Sequence, residues 1–358
     1  MRVLFLAIGD RSVASSRVRV YSYLPYLRKQ NFKIFVMRYT SSWQSRKILA
    51  KEILAKENKN LIAKVVNRIY GTGAALVLLI LAPFFDVVYI QKVALFKSTI
   101  MLLKVLNKNI IFDFDDAVFI YQDITYMLRK AAGVVVSNRH LKKYASSYNK
   151  NVYELISPIE ISAYSFRGDD NSVTLGWIGS PAGVRYLSPL ILVFKSLKEK
   201  FQKLNIEFMG INRYGQLEPL SDIVKLTEWS LEGERRFLEG INIGIMPLMD
   251  DEWSKGKGGY KILQYMAMGI PCVASPVGVN KEIIKDGTNG FLATTQDEWV
   301  EKLSSLIGDR ALRLRMGREG REIARERYSY EKNLSKLISI LEETGCQSKN
   351  SERAKNGN

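Results

Sequence analysis

Short apolar runs rich in Val, Ile and Phe alternate along the chain with longer segments whose apolar residues recur at helical spacing. Runs of about four to eight apolar residues are typical of buried strands, and the longer repeats are typical of helices packed on a sheet. In the first part of the chain the predicted strands are Val3–Ile8, Phe32–Met37, Asp86–Gln91, Ile110–Asp115, Gly133–Ser137 and Val152–Ile156. This rhythm predicts an α/β fold with a parallel sheet.

A second series of the same kind follows a polar, turn-forming stretch at residues 157–172. Its predicted helices include Tyr186–Lys203 and Tyr260–Met268. Its predicted strands are Val173–Ile178, Asn205–Gly210, Ile223–Leu226, Ile241–Pro247 and Cys272–Ser275. Two tandem Rossmann-like domains with an interdomain cleft are therefore expected, since ligands of such sheets bind beyond the carboxyl ends of the strands.

The predicted boundaries give each part of the chain a role. An N-terminal domain covers residues 1–160, and a second domain covers residues 173–329. A last helix, residues 330–345, is expected to return to the first domain. The polar residues 346–358 are expected to form a disordered tail.

Composition removes several classes of protein. With 47% hydrophobic and 25% charged residues, the chain is neither disordered nor fibrous. Cys272 and Cys346 are its two cysteines and His140 is its one histidine. These counts argue against a disulfide scaffold, a zinc site and a Ser/His/Asp triad, and they favour a reduced, cytoplasmic protein.

The net charge of +17 is confined to one half of the chain. Residues 1–150 hold 25 basic and 8 acidic side chains, whereas residues 151–358 hold 28 of each. Such asymmetry favours an anionic partner for the first half, either a membrane surface or nucleic acid. A basic surface that serves only solubility is the alternative.

One segment of the first half suggests membrane contact. Residues 46–70 read as a basic amphipathic helix, with lysines at Lys47, Lys51, Lys56 and Lys59. The apolar run Ala74–Phe85 that follows is about a dozen residues long, where a membrane span needs about twenty. The segment is expected either to lie in the headgroup plane or to pack on the sheet.

The loops after the first strand of each domain differ in chemistry. Gly9–Arg11, with Arg17 beyond it, lacks the G-x-G-x-x-G dinucleotide fingerprint, which argues against a nicotinamide cofactor. Gly176–Pro181 ends a strand in small residues ahead of a helix and is followed by Arg185. Backbone amides at a helix start and a nearby arginine are suited to a diphosphate.

The most specific motif lies between Asp250 and Gly290. Tyr265–Ser275 reads YMAMGIPCVAS, and Glu282 precedes the DGTNG of Asp286–Gly290. This pattern resembles the donor-binding segment of family 4 glycosyltransferases, retaining enzymes of the GT-B fold. Gln264 stands where that family has its ribose-binding glutamate, and Gly256 stands where it has the glutamate that addresses the donor sugar.

The resemblance implies a set of site residues. Asp115, which ends the strand at Ile110, stands where the family has a histidine and is the candidate that orients the acceptor or the sugar. Arg185 and Lys257 are the candidates that neutralise the departing diphosphate. The implied donor-binding residues are Gly179, Ser180, Trp229, Gly258, Gly259, Lys261, Gln264 and Glu282. Arg17 and the four lysines named above are assigned to the acceptor or membrane side.

The predicted activity is transfer of a sugar from a nucleotide diphosphate donor, UDP- or GDP-linked, to a glycan or lipid-linked acceptor with retention of configuration. No cofactor and no metal is expected, although Asp113, Asp115 and Asp116 leave a metal site as an alternative. The expected location is the cytoplasm, at the inner face of a membrane. A nucleotide-sugar epimerase of the same fold and a non-enzymatic nucleic-acid or anionic-surface binder are the other candidates.

Overall fold

The computed structural model describes residues 1–40, 61–164 and 172–353, with the backbone alone at 61–68 and 347–353. The chain divides into two compact units. Unit 1 comprises Met1–Ser157, Gly256–Gly258 and Tyr330–Asn358, and unit 2 comprises Pro158–Lys255 and Gly259–Ser329.

In its described residues, unit 1 contains a parallel sheet of six strands in the order β2-β1-β3-β4-β5-β6. The strands are β1 (Arg2–Ala7), β2 (Lys33–Arg38), β3 (Val87–Gln91), β4 (Ile110–Phe114), β5 (Gly133–Val136) and β6 (Val152–Glu154). β1, β3, β4 and β5 are almost completely buried, as expected for strands covered by helices on both faces.

The helices of unit 1 connect these strands. They are α1 (Ala14–Ser16), α2 (Leu24–Lys29), α3 (Leu61–Leu81), α4 (Lys97–Leu106), α5 (Thr125–Lys130) and α6 (Arg139–Ser146). A π-helical turn, Arg17–Tyr21, follows α1. π-Helical turns are rare and are frequent at functional sites.

Unit 2 repeats the architecture, with its six described strands in the order β12-β11-β10-β7-β8-β9, all parallel. The strands are β7 (Thr174–Ile178), β8 (Asn205–Met209), β9 (Val224–Thr227), β10 (Ile243–Met246), β11 (Cys272–Ala274) and β12 (Gly290–Leu292). The chain reverses its direction of winding between β7 and β10, and such switch points are where open α/β sheets bind ligands.

The helices of unit 2 cover both faces of this sheet. They are α7 (Val184–Leu187), α8 (Ile191–Lys200), α9 (Leu231–Gly240), α10 (Glu252–Lys255), α11 (Tyr260–Met268), α12 (Asn280–Ile283), α13 (Gln296–Gly308) and α14 (Arg310–Ile323). One apolar cluster packs Trp177 and Trp299 on one face, and α11 forms the centre of a second.

The last described helix, α15 (Tyr330–Arg353), belongs to unit 1. Its residues Tyr330, Leu337 and Leu341 are buried in one cluster with Val3 and Phe5 of β1. Tyr330 also donates a hydrogen bond from its hydroxyl to the Val18 carbonyl at 2.9 Å. The core of unit 1 is therefore built from residues at both ends of the chain.

The α/β class and the predicted strands are confirmed, with strand ends displaced by at most two residues. β12 was not predicted. The helix predicted over Tyr186–Lys203 is interrupted by a 3-10 turn at Ser188–Leu190, because Pro189 cannot donate a backbone hydrogen bond.

Two predictions concern segments that the structure describes only in part. The basic helix predicted at 46–70 lies outside the described residues over 46–60, and α3 begins at Leu61. Helix α15 continues to Arg353 through part of the segment 346–358 for which disorder was expected, and residues 354–358 lie outside the described residues.

Candidate functional site

The carboxyl edge of the sheet in unit 1 carries a hydrogen-bonded polar cluster at the switch point between β1 and β3. Gln91, at the end of β3, accepts from the Ile8 amide and from the Ser16 hydroxyl, each at 3.1 Å. Its own amide donates to the Ser15 hydroxyl at 2.7 Å. The cluster therefore fixes the loop after β1 against the end of β3.

Asp115 is part of this cluster. Its carboxylate accepts from the Ser15 hydroxyl at 2.7 Å and lies 3.3 Å from the Lys92 ammonium. Lys92 also forms an ion pair with Asp116. Asp115 thus lies at the predicted edge, held by a cation that sequence reasoning did not identify.

Lys92 adopts a backbone conformation that non-glycine side chains rarely take, with φ at +60°. Its backbone N–H donates to the Asp113 carbonyl at 2.7 Å, which fixes the turn after β3. A non-glycine residue at positive φ costs about 1–3 kcal/mol, and such strain concentrates at functional sites. The strained turn directs the Lys92 side chain to both aspartates.

Beneath this cluster lies a fully buried ion pair between Arg19, on the π-helical turn, and Asp113 of β4. The guanidinium donates to both carboxylate oxygens, at 2.5–3.2 Å, and also to the Leu155 carbonyl. Burial by itself lowers the pKa of Arg19, but the Asp113 carboxylate outweighs burial and the pKa is raised. Burial raises the pKa of Asp113 while Arg19 opposes that shift, so each charge of the pair depends on the other.

These contacts bear on the alternative of a metal site at the three aspartates. Asp113 faces Arg19, and Asp115 and Asp116 face Lys92. Across residues 1–40, 61–164 and 172–353, no group of three or more His, Cys, Asp or Glu residues is arranged to hold a metal ion. Each of the three carboxylates faces a protein cation, and Asp115 and Asp116 share Lys92.

Residues Gly256–Gly258 belong to unit 1 although they lie between helices of unit 2 in the sequence. Asn138, the N-cap of α6, donates from its amide to the carbonyls of Gly256 and Lys257 at 3.0 and 3.2 Å. A Cβ at Gly256 would lie 2.6 Å from the Ala117 amide nitrogen. The glutamate that the resemblance places at this position is therefore sterically excluded.

The same grouping separates predicted donor residues. Lys257 and Gly258 lie in unit 1, where a Cβ at Gly258 would lie 3.1 Å from the Ser157 hydroxyl. Gly259, the next residue, lies in unit 2. Lys257, predicted to neutralise the diphosphate, and Gly258, predicted to bind the donor, therefore group with Asp115 rather than with the remaining donor candidates.

In unit 2 the loop after β7 is close-packed on Trp177. A Cβ at Gly179 would lie 2.2 Å from the indole ring, so only glycine fits there. The Lys261 ammonium lies 5.3 Å from the centroid of the same ring, in a cation–π contact. Ser180 is half-buried and its carbonyl accepts from the Gly183 amide at 2.7 Å. Gly179, Ser180 and Lys261 therefore lie together at the switch point.

Arg185, on α7, is exposed and interacts with the loop after β10. Its guanidinium lies 3.5 Å from the Asp251 carboxylate and donates to the Tyr186 hydroxyl at 2.5 Å. The Tyr186 hydroxyl also accepts from the Ser254 hydroxyl at 3.1 Å. These contacts hold the Arg185 guanidinium over the ring of Tyr186.

Gln264 and Trp229 are connected by a carboxylate that was not predicted, Glu234 of α9. Its two oxygens accept from the Gln264 amide at 2.7 Å and from the Trp229 indole N–H at 2.8 Å. The Tyr164 hydroxyl lies 3.5 Å from the same Gln264 amide. Gln264 and Glu234 are both buried, so the Gln264 side chain is held in a fixed internal hydrogen-bond network.

The turn at Gly259 that opens α11 lies close to α12, the helix that carries Glu282. Gly259 is the N-cap of α11 with φ at +68°, and a Cβ there would lie 2.4 Å from the Ile283 side chain. Only glycine meets both constraints. Glu282 is exposed in the first turn of α12. The start of α11 is thus a close-packed backbone turn, which presents N–H groups at the positive end of the helix dipole.

The structure gives few contacts for the residues that were predicted on the acceptor or membrane side. Arg17 donates from its guanidinium to the Arg11 carbonyl at 3.1 Å. Lys47, Lys51, Lys56 and Lys59 lie outside the described residues. None of the helices in the described residues combines the length and apolar character needed to cross a bilayer.

With this geometry established, the chain can be compared with known proteins. Residues 173–309 match the family model Glycosyl transferases group 1. The match covers the β7 loop, the Glu234 network and the start of α11, but not the Asp115 cluster. The carboxyl edge of unit 2 is thus the part of the structure that this family describes.

Curated relatives match parts of the chain. N-acetyl-alpha-D-glucosaminyl L-malate synthase of Bacillus anthracis is 32% identical over 84 residues, 23% of this chain and 22% of the relative. An uncharacterized glycosyltransferase of Methanocaldococcus jannaschii is 30% identical over 127 residues, 35% of this chain and 34% of the relative. The chain therefore spans about a fifth to a third of the curated relatives it matches.

Solved structures match almost the whole fold. HepE of Anabaena, in complex with UDP and glucose, has a TM-score of 0.70 at 14% identity and covers 96% of this chain and 100% of its own. A glycosyltransferase from Rickettsia africae has a TM-score of 0.70 at 14% identity, with coverage of 96% and 98%. The fold is the GT-B arrangement of two Rossmann-like domains, as the sequence predicted.

Proposed function

We propose that this protein is a glycosyltransferase that moves a sugar from a nucleoside diphosphate to a hydroxyl of a glycan or lipid-linked acceptor, with retention of anomeric configuration. The observation that carries this proposal is the match of residues 173–309 to the group 1 family model, over the edge of unit 2 that is built from backbone and glycines. The complexes of HepE with UDP and glucose favour UDP as the nucleotide.

The donor is placed on unit 2. The turn at Gly259 and the loop at Gly179 and Ser180 present backbone amides to the diphosphate, and Arg185 supplies a cation at the same switch point. Trp229 and Gln264 are held by Glu234 and are assigned to the nucleoside. Because the Glu234–Gln264 pair is preorganised, nucleotide binding loses little side-chain entropy.

The acceptor is placed on unit 1. Asp115 has a fixed carboxylate held by Ser15 and Lys92, and it is assigned to orient the acceptor hydroxyl or the donor sugar. Departure of the diphosphate needs positive charge close to the leaving oxygens, for which Arg185 and Lys257 are the candidates. In front-face attack the departing phosphate takes the acceptor proton, so that no strong base is required.

The first experiment measures nucleotide release with UDP- and GDP-sugars. We expect release to require both donor and acceptor and to persist in EDTA. Nuclear magnetic resonance of the product checks retention of the anomeric centre. Conversion of the donor sugar without an acceptor would instead identify an epimerase.

A second experiment measures binding alone. A thermal-shift screen against UDP, GDP and their sugars is expected to identify the base, since a ligand at 100 times its dissociation constant stabilises the protein by about 2.7 kcal/mol. If duplex DNA stabilises the protein and none of the nucleotides does, the assignment of a nucleotide-sugar donor is contradicted.

A cytoplasmic location at the inner face of a membrane is part of the same proposal, based on the excess of basic residues within positions 1–150. Changing Lys47, Lys51, Lys56 and Lys59 to Gln is expected to weaken binding to anionic vesicles, measured by sedimentation. Unchanged sedimentation would exclude these four lysines from membrane contact.

A further inference from the structure

Two neighbouring helices of unit 1 expose large apolar side chains. Val105 is 79% exposed and Ile80 is 67% exposed, and both lie among other exposed apolar residues at helical spacing. We call this set the apolar face: Leu76, Val77, Ile80, Phe84, Met101, Leu102, Val105 and Leu106. Phe84 lies in the 3-10 turn Ala82–Phe84 after α3. Because α3, this turn and α4 pack against one another, the set forms one patch rather than scattered residues. Contiguous patches of this kind mark interaction sites.

A basic cavity of about 410 Å³ borders the apolar face. It is lined by four cationic side chains, Lys104, Lys108, Arg129 and Lys150, together with Tyr148 and neighbouring polar residues. None of its lining residues, all within the described part of unit 1, is acidic. We call it the cationic pocket. Lys104 lies on α4, the helix that carries half of the apolar face, so the pocket and the apolar face share that helix.

The electrostatics of the pocket suit an anion. Burial, with the neighbouring Lys130 and Lys108 ammonium groups, lowers the pKa of Lys104. Along the sequence from Leu61 to Phe112 the one acidic residue is Asp86, and Asp86 accepts from the Arg2 amide at 2.7 Å. An anion in the pocket would relieve the crowding of positive charge.

The position of the pocket is also informative. Lys108 precedes β4, Ala132 precedes β5 and Lys150 precedes β6, so the pocket lies at the amino edge of the sheet. Asp115 follows β4 at the carboxyl edge. A partner bound at the pocket would therefore leave the candidate site of unit 1 open.

We propose that the apolar face and the cationic pocket together dock unit 1 on an anionic lipid bilayer, with the apolar side chains in the acyl boundary and a headgroup phosphate in the pocket. An exposed apolar face beside lysines is the pattern of helices that lie in a membrane interface. A nucleic-acid surface would have no use for eight exposed apolar residues, and an uncharged protein partner would leave the four cations unmatched. This surface rests on the membrane location that is part of the proposed function and names the residues that make the contact. Loss of vesicle binding would leave the sugar transfer itself untouched.

The test uses the full chain and vesicle sedimentation, with pure phosphatidylcholine vesicles compared with vesicles of which about a third of the lipid is phosphatidylglycerol. The first variant is Lys104→Gln with Lys108→Gln and Lys150→Gln. Each lysine is expected to contribute about fivefold to the affinity for an anionic membrane. We therefore expect the triple variant to bind the anionic vesicles about a hundredfold more weakly. Its matched control, Lys195→Gln with Lys203→Gln and Lys281→Gln in unit 2, removes the same charge and is expected to keep binding.

A second variant tests the apolar face. Ile80→Asp with Val105→Asp is expected to abolish vesicle binding, while Leu192→Asp, at a 64% exposed position of unit 2, is expected to retain it. These side chains are exposed, and circular dichroism checks that the fold is kept. The proposal would be overturned if the control variants lost as much binding, or if the protein bound both vesicle types equally. It would also be overturned if the protein were a dimer that Val105→Asp dissociates.

Discussion

The carboxyl edges of the two sheets have the same topology but consist of different chemical groups. The edge of unit 1 is charged: Arg19 pairs with Asp113, and Lys92 pairs with Asp115 and Asp116. The edge of unit 2 is built from glycines and backbone turns, and its predicted cation Arg185 is exposed. Charged side chains define the first edge, whereas the second combines close-packed glycine turns with the hydrogen-bonded side chains of Trp229, Glu234 and Gln264.

This difference suits the two edges to different chemical groups. Fixed carboxylates can orient hydroxyl groups, because each oxygen accepts a hydrogen bond in a set direction. Backbone N–H groups at a helix start suit a diphosphate, which needs several donors around a concentrated negative charge. We therefore expect substitutions at the two edges to have different effects.

The largest expected effect on stability lies in unit 1. Asp113→Asn leaves Arg19 buried without its counter-charge, and we expect the free energy of unfolding to fall by about 3–5 kcal/mol. In unit 2, Asp251→Asn breaks an ion pair that is exposed, at an expected cost of about 1 kcal/mol or less. Urea denaturation measures both, and similar losses would contradict the difference between the edges.

Turnover is expected to depend on Asp115. Asp115→Asn weakens the contact to Lys92 and misplaces the carboxyl group, so we expect turnover to fall by about a hundredfold with nucleotide affinity unchanged. Asp123→Asn, which alters an exposed carboxylate of the same unit, is the control. A fully active Asp115→Asn enzyme would make Asp115 a structural residue.

Nucleotide affinity is expected to depend on Gln264. Gln264→Ala removes the partner of a Glu234 oxygen and one polar contact to the nucleoside, at an expected cost of about 1–2 kcal/mol in binding. Gln296→Ala, an exposed glutamine of the same unit, is expected to bind normally. Isothermal titration with UDP measures the effect, and equal affinities would remove Gln264 from the donor site.

The smallest expected effect concerns Arg185. Because its guanidinium is exposed and already close to Asp251, Arg185→Gln is expected to weaken nucleotide binding by about 1 kcal/mol or less at physiological salt, and by less at higher salt. Titrations at two ionic strengths test this. A large loss that is independent of salt would show that the main chain alone does not hold the diphosphate.

The α/β architecture could be predicted from the sequence because buried parallel strands are continuous apolar runs, as in Val87–Gln91 and Ile110–Phe114. It did not indicate β12, since three residues after a turn carry too little pattern. Local motifs identified Asp115 and Gln264 as candidates.

The partners of those candidates were not predictable. Arg19 and Asp113 are separated by 94 positions, and Gln264 and Glu234 by 30, so no local periodicity connects them. The positive φ of Lys92 has no sequence signal either, because lysine gives no indication of that conformation. Side-chain pairings across elements depend on tertiary structure, which local patterns do not encode.

The return of α15 to unit 1 has a consequence for the order in which the chain folds during synthesis. Unit 2, apart from residues 256–258, is contiguous from Pro158 to Ser329, whereas the core around Val3 needs Leu337 and Leu341. The first unit to be translated is therefore the last to be completed. While the ribosome adds the intervening residues, the surface of β1 that α15 will cover stays open, and it is there that chaperones are expected to engage the nascent chain.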